Sequence, residues 1–280
     1  MEKIIIAVDG EPSCEAAIGW VIERSRRRPT SVEVTTVAEL ATYGGGMMVD
    51  DVEAAYSAVV REAVERISTA SPTTTVTSRV RRGQVRVELA RASEDADVIV
   101  LGTARHRTVE HGGYGALPAR IATVTDCPVI VIPQGWVSGD AGPVVLGIDV
   151  QHPQPGVESF AAREAAAAGG VLRVVHAWGV PTWLAVVLFA HPSVWREVGE
   201  TVEEKFADHL TRIRRDRPAL IITELLREGP TSRVVEEEAA GAQLLVLGRK
   251  AHGSMRDYAL GSTAHDALIA MPCPVAIVPA

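Results

Sequence analysis

Four apolar residues, Leu244-Leu245-Val246-Leu247, end at Gly248, and beyond a polar loop Gly261-Ser262-Thr263 opens a new apolar-periodic stretch. These residue types in this order suit the binding of an anion. A buried strand stops at a glycine, and the loop gathers main-chain N–H groups. The unpaired N–H groups of the next helix's first turn then face the same hollow. Ser262 can add a hydroxyl donor or serve as the helix N-cap, and the two roles are compatible. A carboxylate stands at a neighbouring strand end: Val144-Val145-Leu146-Gly147-Ile148 leads into Asp149. Asp149 can accept from ligand hydroxyls, or it can simply terminate the strand and cap the turn that follows.

The same arrangement occurs earlier in the chain. Ile4–Val8 leads into Asp9-Gly10, and Val98–Leu101 leads through Gly102 and a loop containing Arg105 to Gly115-Ala116. Gly102 and Gly248 are 146 positions apart, as are Gly115 and Gly261 and the two Cys-Pro-Val segments at Cys127 and Cys273. Three matches at one offset indicate an internal duplication. Asp9 and Asp149 are 140 positions apart, so the second copy gains about six residues between these landmarks. The apolar segment Gly179–Ser193 is the expected place, as a packed flap, a lid or a subunit contact.

The remaining candidates are weaker. Arg249 and Lys250 are loop cations that either meet phosphate or stay solvated. His252 is the histidine best placed to touch an anion. His106 and His111 have no cysteine or carboxylate cluster beside them, so no metal site is expected. His176 ends a buried strand and is expected to satisfy a backbone partner. Glu236-Glu237-Glu238 reads as a solvated helix face. Arg26-Arg27-Arg28 closes a helix, where cations complement the dipole.

Positioning these residues requires strands that alternate with helices. Strands are expected near 4–8, 32–37, 74–81, 98–101 and 128–133, with helices over 14–27, 51–68 (Asp50 or Asp51 as N-cap), 84–93 and 117–124. Residues 134–143 form a Gly- and Pro-containing linker, after which the pattern restarts. Strands near 144–148, 172–178, 220–225 and 244–247 alternate with helices over 157–168, 195–215 and 232–240. This βαβ succession predicts an α/β protein with two tandem doubly wound parallel sheets, and ligands on such sheets bind at the carboxyl ends of the strands. The domains are expected over 1–136 and 143–280.

The bulk composition narrows the function classes. A net charge of −7 argues against general affinity for nucleic acid or anionic membrane. Three cysteines, two of them equivalent between the copies, suggest buried thiols in a reducing compartment rather than a disulfide framework. Met1-Glu2-Lys3 runs directly into a strand, so no signal peptide is expected. Val180–Ala190 is too short to span a bilayer. A cytoplasmic location is the expectation. No P-loop lysine motif, nucleophile elbow or kinase motif set occurs.

The loop Gly248-x-x-Ala251-x9-Gly261-Ser262 resembles the ATP-binding pattern Gly-x2-Gly-x9-Gly-Ser/Thr of the universal stress protein family. Val8-Asp9-Gly10, Leu172–Trp178 and the closing Cys-Pro-Val-x-x-Val-Pro of both copies resemble that family's first, second and last strands. The likeness covers nearly the whole chain as a tandem pair. It implies a five-stranded sheet in each copy, an intramolecular pseudo-dimer through the fifth strands, and a homodimer as a further option. It also implies adenine nucleotide across the strand ends, ATP with Mg2+ as an optional companion.

Matched residue by residue, Asp149 would meet the ribose or base edge and Ala177 would offer backbone beside adenine. Gly248, Ala251, Gly261, Ser262 and Thr263 would line the phosphates, with Gly147, Ile148, Leu247 and His252 beside them. The weaker first copy would use Asp9, Gly10, Ala38, Gly102, Arg105 and Gly115. Departures from the pattern are Ala251 and Val150 for glycines in copy two, and Arg105 and Ala116 in copy one. The implied role is regulation of a stress response through nucleotide-dependent conformation or partner binding. A slow ATPase or adenylyl-transferring enzyme, and a nucleotide-free interaction scaffold, are the alternatives.

Overall fold

The structure, a computed structural model, describes residues 1–39, 49–104, 116–139, 142–179, 192–249 and 260–279. The first half runs β1 (Glu2–Ala7), α1 (Ser13–Arg27), β2 (Thr30–Ala38), α2 (Val49–Ala70), β3 (Thr75–Arg82), α3 (Val85–Ser93), β4 (Val98–Thr103), α4 (Ala116–Ala122) and β5 (Val129–Pro133). The second half repeats it with β6 (Val144–Gly147), α5 (Pro155–Ala167), β7 (Val171–Trp178), α6 (Pro192–Asp216), β8 (Ile221–Glu228), α7 (Thr231–Ala239), β9 (Leu244–Gly248), α8 (Ser262–Ala270) and β10 (Val275–Val278). The α/β class expected from the sequence is what forms. Asp50 and Asp51 lie inside the described span of α2 rather than before it, which corrects the N-cap expectation. Gly44-Gly45-Gly46, which the sequence marks as a loop between the second strand and the helix over 51–68, and most of the apolar insert, 180–191, lie outside the described residues.

All ten strands form one sheet in the order β3-β2-β1-β4-β5-β10-β9-β6-β7-β8. Pairing is parallel within each half. The halves join through an antiparallel β5–β10 ladder that sets Ile130 opposite Ala276. Because helices cover both faces, the inner strands are apolar on both sides rather than alternating. Ile4 and Ile6 enter one core with Val21, Ile67 and Phe160, while Ile5 enters the other with Leu89, Val131 and Leu245. α1 buries Cys14, Ala17, Ile18 and Val21, one stripe of a 3.6-residue period. It stops at Arg27 because Arg28 precedes Pro29 and takes an extended conformation, φ −151° and ψ 152°.

That turn-out aims Arg28 across the junction. Glu164 of α5, nearly buried, accepts from Arg24 (2.6 and 2.8 Å) and from Arg28 (3.2 and 3.0 Å). Arg24 also donates to Glu2 at 2.8 and 2.7 Å and lies over the Trp20 ring, 4.9 Å from its centroid. The basic end of α1 therefore does more than complement a helix dipole: it clasps the second half.

Candidate functional site

At the carboxyl ends of β6, β7 and β9 a cavity of about 300 Å³ opens between the two halves of the second repeat's strand edge. Each wall has a local cause. β6 stops at Gly147, where a Cβ would lie 2.6 Å from Leu247 Cδ2, so glycine here leaves room for the Leu247 side chain over the strand end. Ile148 continues the edge, its N–H bonded to Val175 O at 3.0 Å. Val175 and Ala177 of β7 and Leu247 and Gly248 of β9 supply the apolar floor.

The opposite wall is built by two helix starts. Gly261, the N-cap of α8, is extended (φ −63°, ψ 150°) and has no side-chain cap. Its N–H binds Arg249 O at 3.0 Å, which draws the two ends of the β9–α8 loop together. Ser262, Thr263 and Ala264 follow in the first turn and line the cavity, where N–H groups have no intrahelical partner. Thr231, first residue of α7, faces the same space, and its N-cap Pro230 gives no side-chain cap either. Two positive helix ends thus converge on one cavity, an arrangement that favours a negatively charged ligand.

Asp149 stands at the rim. Its Oδ1 accepts from Gln151 N–H at 2.9 Å, and its Oδ2 meets His152 Nδ1 at 2.9 Å. Partial burial opposes ionisation. The hydrogen bonds from His152 and Gln151, with charge at His152 and His176, outweigh it and hold the carboxyl below the usual range. The carboxylate is 46% exposed, so it caps its turn and still presents an edge to the cavity. His176 Nδ1 lies 2.9 Å from Ile148 O, the backbone partner expected of it, and the contact requires the proton on Nδ1. Burial lowers its pKa against the opposing pull of the Ile148 carbonyl and Asp149.

The expected residues Gly147, Ile148, Asp149, Ala177, Leu247, Gly248, Gly261, Ser262 and Thr263 all border this one cavity. Ala251 and His252 lie outside the described residues, as does Lys250. Sequence reasoning missed Gln154, Val175, His176, Thr231, Val235 and Ala264 as lining residues. Thr231 had a readable signal, since Gly229-Pro230 before it marks a helix start at a strand end. Gln154 had none, although its side chain lies across Gly248, with Oε1 1.9 Å from where a Cβ would stand. Arg249 is neither solvated nor placed for phosphate. Its Nη1 donates to Thr125 O at 2.6 Å and Ala122 O at 3.5 Å in the first repeat. Two of the three residues in the acidic run expected to be solvated make cross-element ion pairs, Glu237 with Arg227 of β8 and Glu238 with Arg173 of β7.

The first repeat is arranged differently. Asp9 Oδ1 accepts from Glu11 N–H and from the Cys14 thiol, both at 3.0 Å. Gly10 needs its left-handed φ of +81° in that turn. Its counterpart Val150 is not left-handed, so the two turns after the aspartates differ. Gly102 packs on main chain: a Cβ there would lie 2.2 Å from Ser13 O. The start of α1 therefore seals the strand end that, at Gly248, only a side chain covers. Ala38 is buried at the end of β2, its carbonyl accepting from Gly83 N–H at 3.2 Å. Arg105 and Gly115 lie outside the described residues. Among the described residues no cluster of three metal-ligating side chains occurs, and no helix is long and apolar enough to cross a membrane.

Comparison with known proteins places this geometry in context. The sequence profile of the "Universal stress protein family" matches residues 1–133 and again 142–279. A universal stress protein of Mycobacterium tuberculosis is 25% identical over 300 residues, covering 98% of this chain and 94% of the relative. A second from the same organism is 24% identical over 291 residues, covering 98% and 96%. Among solved structures, a universal stress protein from Archaeoglobus fulgidus superposes with a TM-score of 0.72 at 15% identity, covering 99% of this chain and 98% of that one. That likeness concerns the fold.

Proposed function

The chain belongs to the universal stress protein family, and from that premise we propose that its second repeat binds one adenine nucleotide, ATP, as a regulatory ligand. The observation that carries the reading is the 300 Å³ cavity on which two uncapped helix N-termini converge. Its volume lies at the low end of small-molecule pockets, enough for a nucleoside whose phosphates extend over the Gly261-Ser262 turn. The residues fit the ligand's parts. Asp149, ionised and half exposed, can accept from ribose hydroxyls. Ala177 lies on the apolar floor where a base would rest. Ser262 and Thr263 N–H groups suit the phosphates.

Gln154 must swing off Gly248 for the deepest approach, which a side chain can do and the main chain at Ser13 cannot. This contrast supports a single nucleotide per chain, with the first repeat serving as partner in an intramolecular pseudo-dimer. Mg2+ would come with the phosphates, since the protein supplies one carboxylate, Asp149, at the described rim. A cytoplasmic setting belongs to the same proposal and agrees with three buried cysteines that form no disulfide. Mass spectrometry of small molecules released from the purified protein, followed by thermal shift with ATP, ADP and AMP, tests the reading. Adenine nucleotide in the released fraction and a shift that saturates with ATP are expected. Neither effect with any of the three would overturn it.

A further inference from the structure

We propose that Arg249 is a positioning residue that couples nucleotide binding in the second repeat to helix α4 of the first. The inference rests on the nucleotide reading above, and the contacts of Arg249 to β10 and α4 that carry it lie outside the cavity. Arg249 is the first residue beyond the strand-end Gly248, and its three polar parts reach three different elements. Its N–H donates to Val278 O at 2.8 Å, at the end of β10 beside the junction between the halves. Its carbonyl accepts from Gly261 N–H at 3.0 Å, forming the neck of the loop that would hold phosphate. Its guanidinium crosses to the other repeat and donates to Thr125 O and Ala122 O, carbonyls left free where α4 ends.

Chemistry favours that contact. A helix end carries unpaired carbonyls and partial negative charge, and a cation there is stabilised. Among the described residues no carboxylate pairs with Arg249, and its Nε–H, buried, has no partner. The guanidinium therefore has these carbonyls as its described anchors. Symmetry shows the contact to be one-directional: the position 146 residues earlier is Thr103, whose side chain lacks the reach and the charge to return it.

A ligand on the Gly261 turn fixes the carbonyl of Arg249 through the loop neck, and the same residue's side chain then holds α4. Two sites linked in this way must influence each other reciprocally.

Hydrogen exchange on the full chain, with and without ATP, tests the coupling. In the wild type, ATP should slow exchange both in peptides spanning 260–270 and in peptides spanning 117–128. In Arg249→Met the first protection should persist and the second should vanish, with ATP affinity about tenfold weaker. Arg249→Lys, which keeps the charge, should recover part of both. If Arg249→Met fails to fold, Arg249→Gln and the Lys variant carry the comparison. Equal ATP-induced protection of 117–128 in wild type and variants would overturn the coupling while leaving nucleotide binding intact. Absence of any ATP effect in the wild type would overturn the nucleotide reading and the coupling with it.

Discussion

Replacing Glu164 by glutamine should be among the most damaging single-atom-scale changes this chain can suffer outside its apolar cores. The carboxylate accepts four hydrogen bonds from Arg24 and Arg28 across the junction, with the Arg24 and Glu164 side chains only 3% and 6% exposed. Breaking a buried ion pair by removing one partner costs about 3–5 kcal/mol, because the remaining charge is left desolvated and unpaired. Here Arg24 keeps Glu2 on two of its nitrogens, which places the loss near the lower figure, about 3 kcal/mol. For a chain of this size that is a fall in Tm of roughly 6–12 °C.

The pH dependence follows from the direction of the Glu164 shift. Burial alone would raise its pKa, but Arg24 and then Arg28 lower it below the ordinary glutamate value. A carboxyl whose folded pKa is depressed contributes stability that is present above the unfolded pKa and is lost as pH falls through the folded one. The gap between wild type and Glu164→Gln should thus be full at pH 7, begin to narrow below about pH 4.5, and close in stronger acid. Scanning calorimetry across that range measures it, with exposed Glu237→Gln as a control that leaves Tm unmoved. A Glu164→Gln shift under about 1 °C at pH 7 would show that the buried pair does not hold the junction.

The two strand-end glycines should respond oppositely. Gly102→Ala drives a methyl group onto the Ser13 main chain and should cost about 3 kcal/mol or more, whereas Gly248→Ala meets only the movable Gln154 amide and should stay within about 1 kcal/mol; denaturant titration of both separates them. The Cys14 thiol is pushed up to about 12 by burial and by neighbouring Asp9, and the Cys127 thiol to about 12 by burial. Both should resist iodoacetamide at pH 8 in the native chain and react after denaturation; rapid native labelling would contradict their placement. Asp149→Ala should weaken ATP binding several-fold by fluorescent-nucleotide titration while leaving Tm nearly unchanged by calorimetry, because its carboxylate is half exposed and, among the described residues, bonded within its own turn.

Much of the architecture is written in local pattern. Continuous apolar runs such as Ile4–Val8 and Leu244–Leu247 require a sheet covered on both faces, and glycine spacing at one offset exposes the duplication. The lining of the cavity was legible wherever a residue sits at a strand end or helix start, as Asp149, Gly248 and Gly261 do. What stayed hidden depends on partners far along the chain. Glu164 is one charge in an alanine-rich helix until Arg24, 140 positions earlier, comes to face it. Arg249 reads as a loop cation until α4 ends beneath it. Gln154 carries no pattern at all, since covering Gly248 is a consequence of where α5 begins. Local periodicity encodes which face is buried, not which distant group lies against it.

Calorimetric titration of ATP into the wild type and Gly261→Asp decides whether the second repeat holds a nucleotide at the α8 turn. An aspartate at the N-cap of α8 should preserve or strengthen the helix while setting a carboxylate where phosphate would bind. One saturable site per chain, lost in Gly261→Asp with the fold intact, is the result predicted. No saturable heat in the wild type, or binding untouched by the substitution, would contradict it.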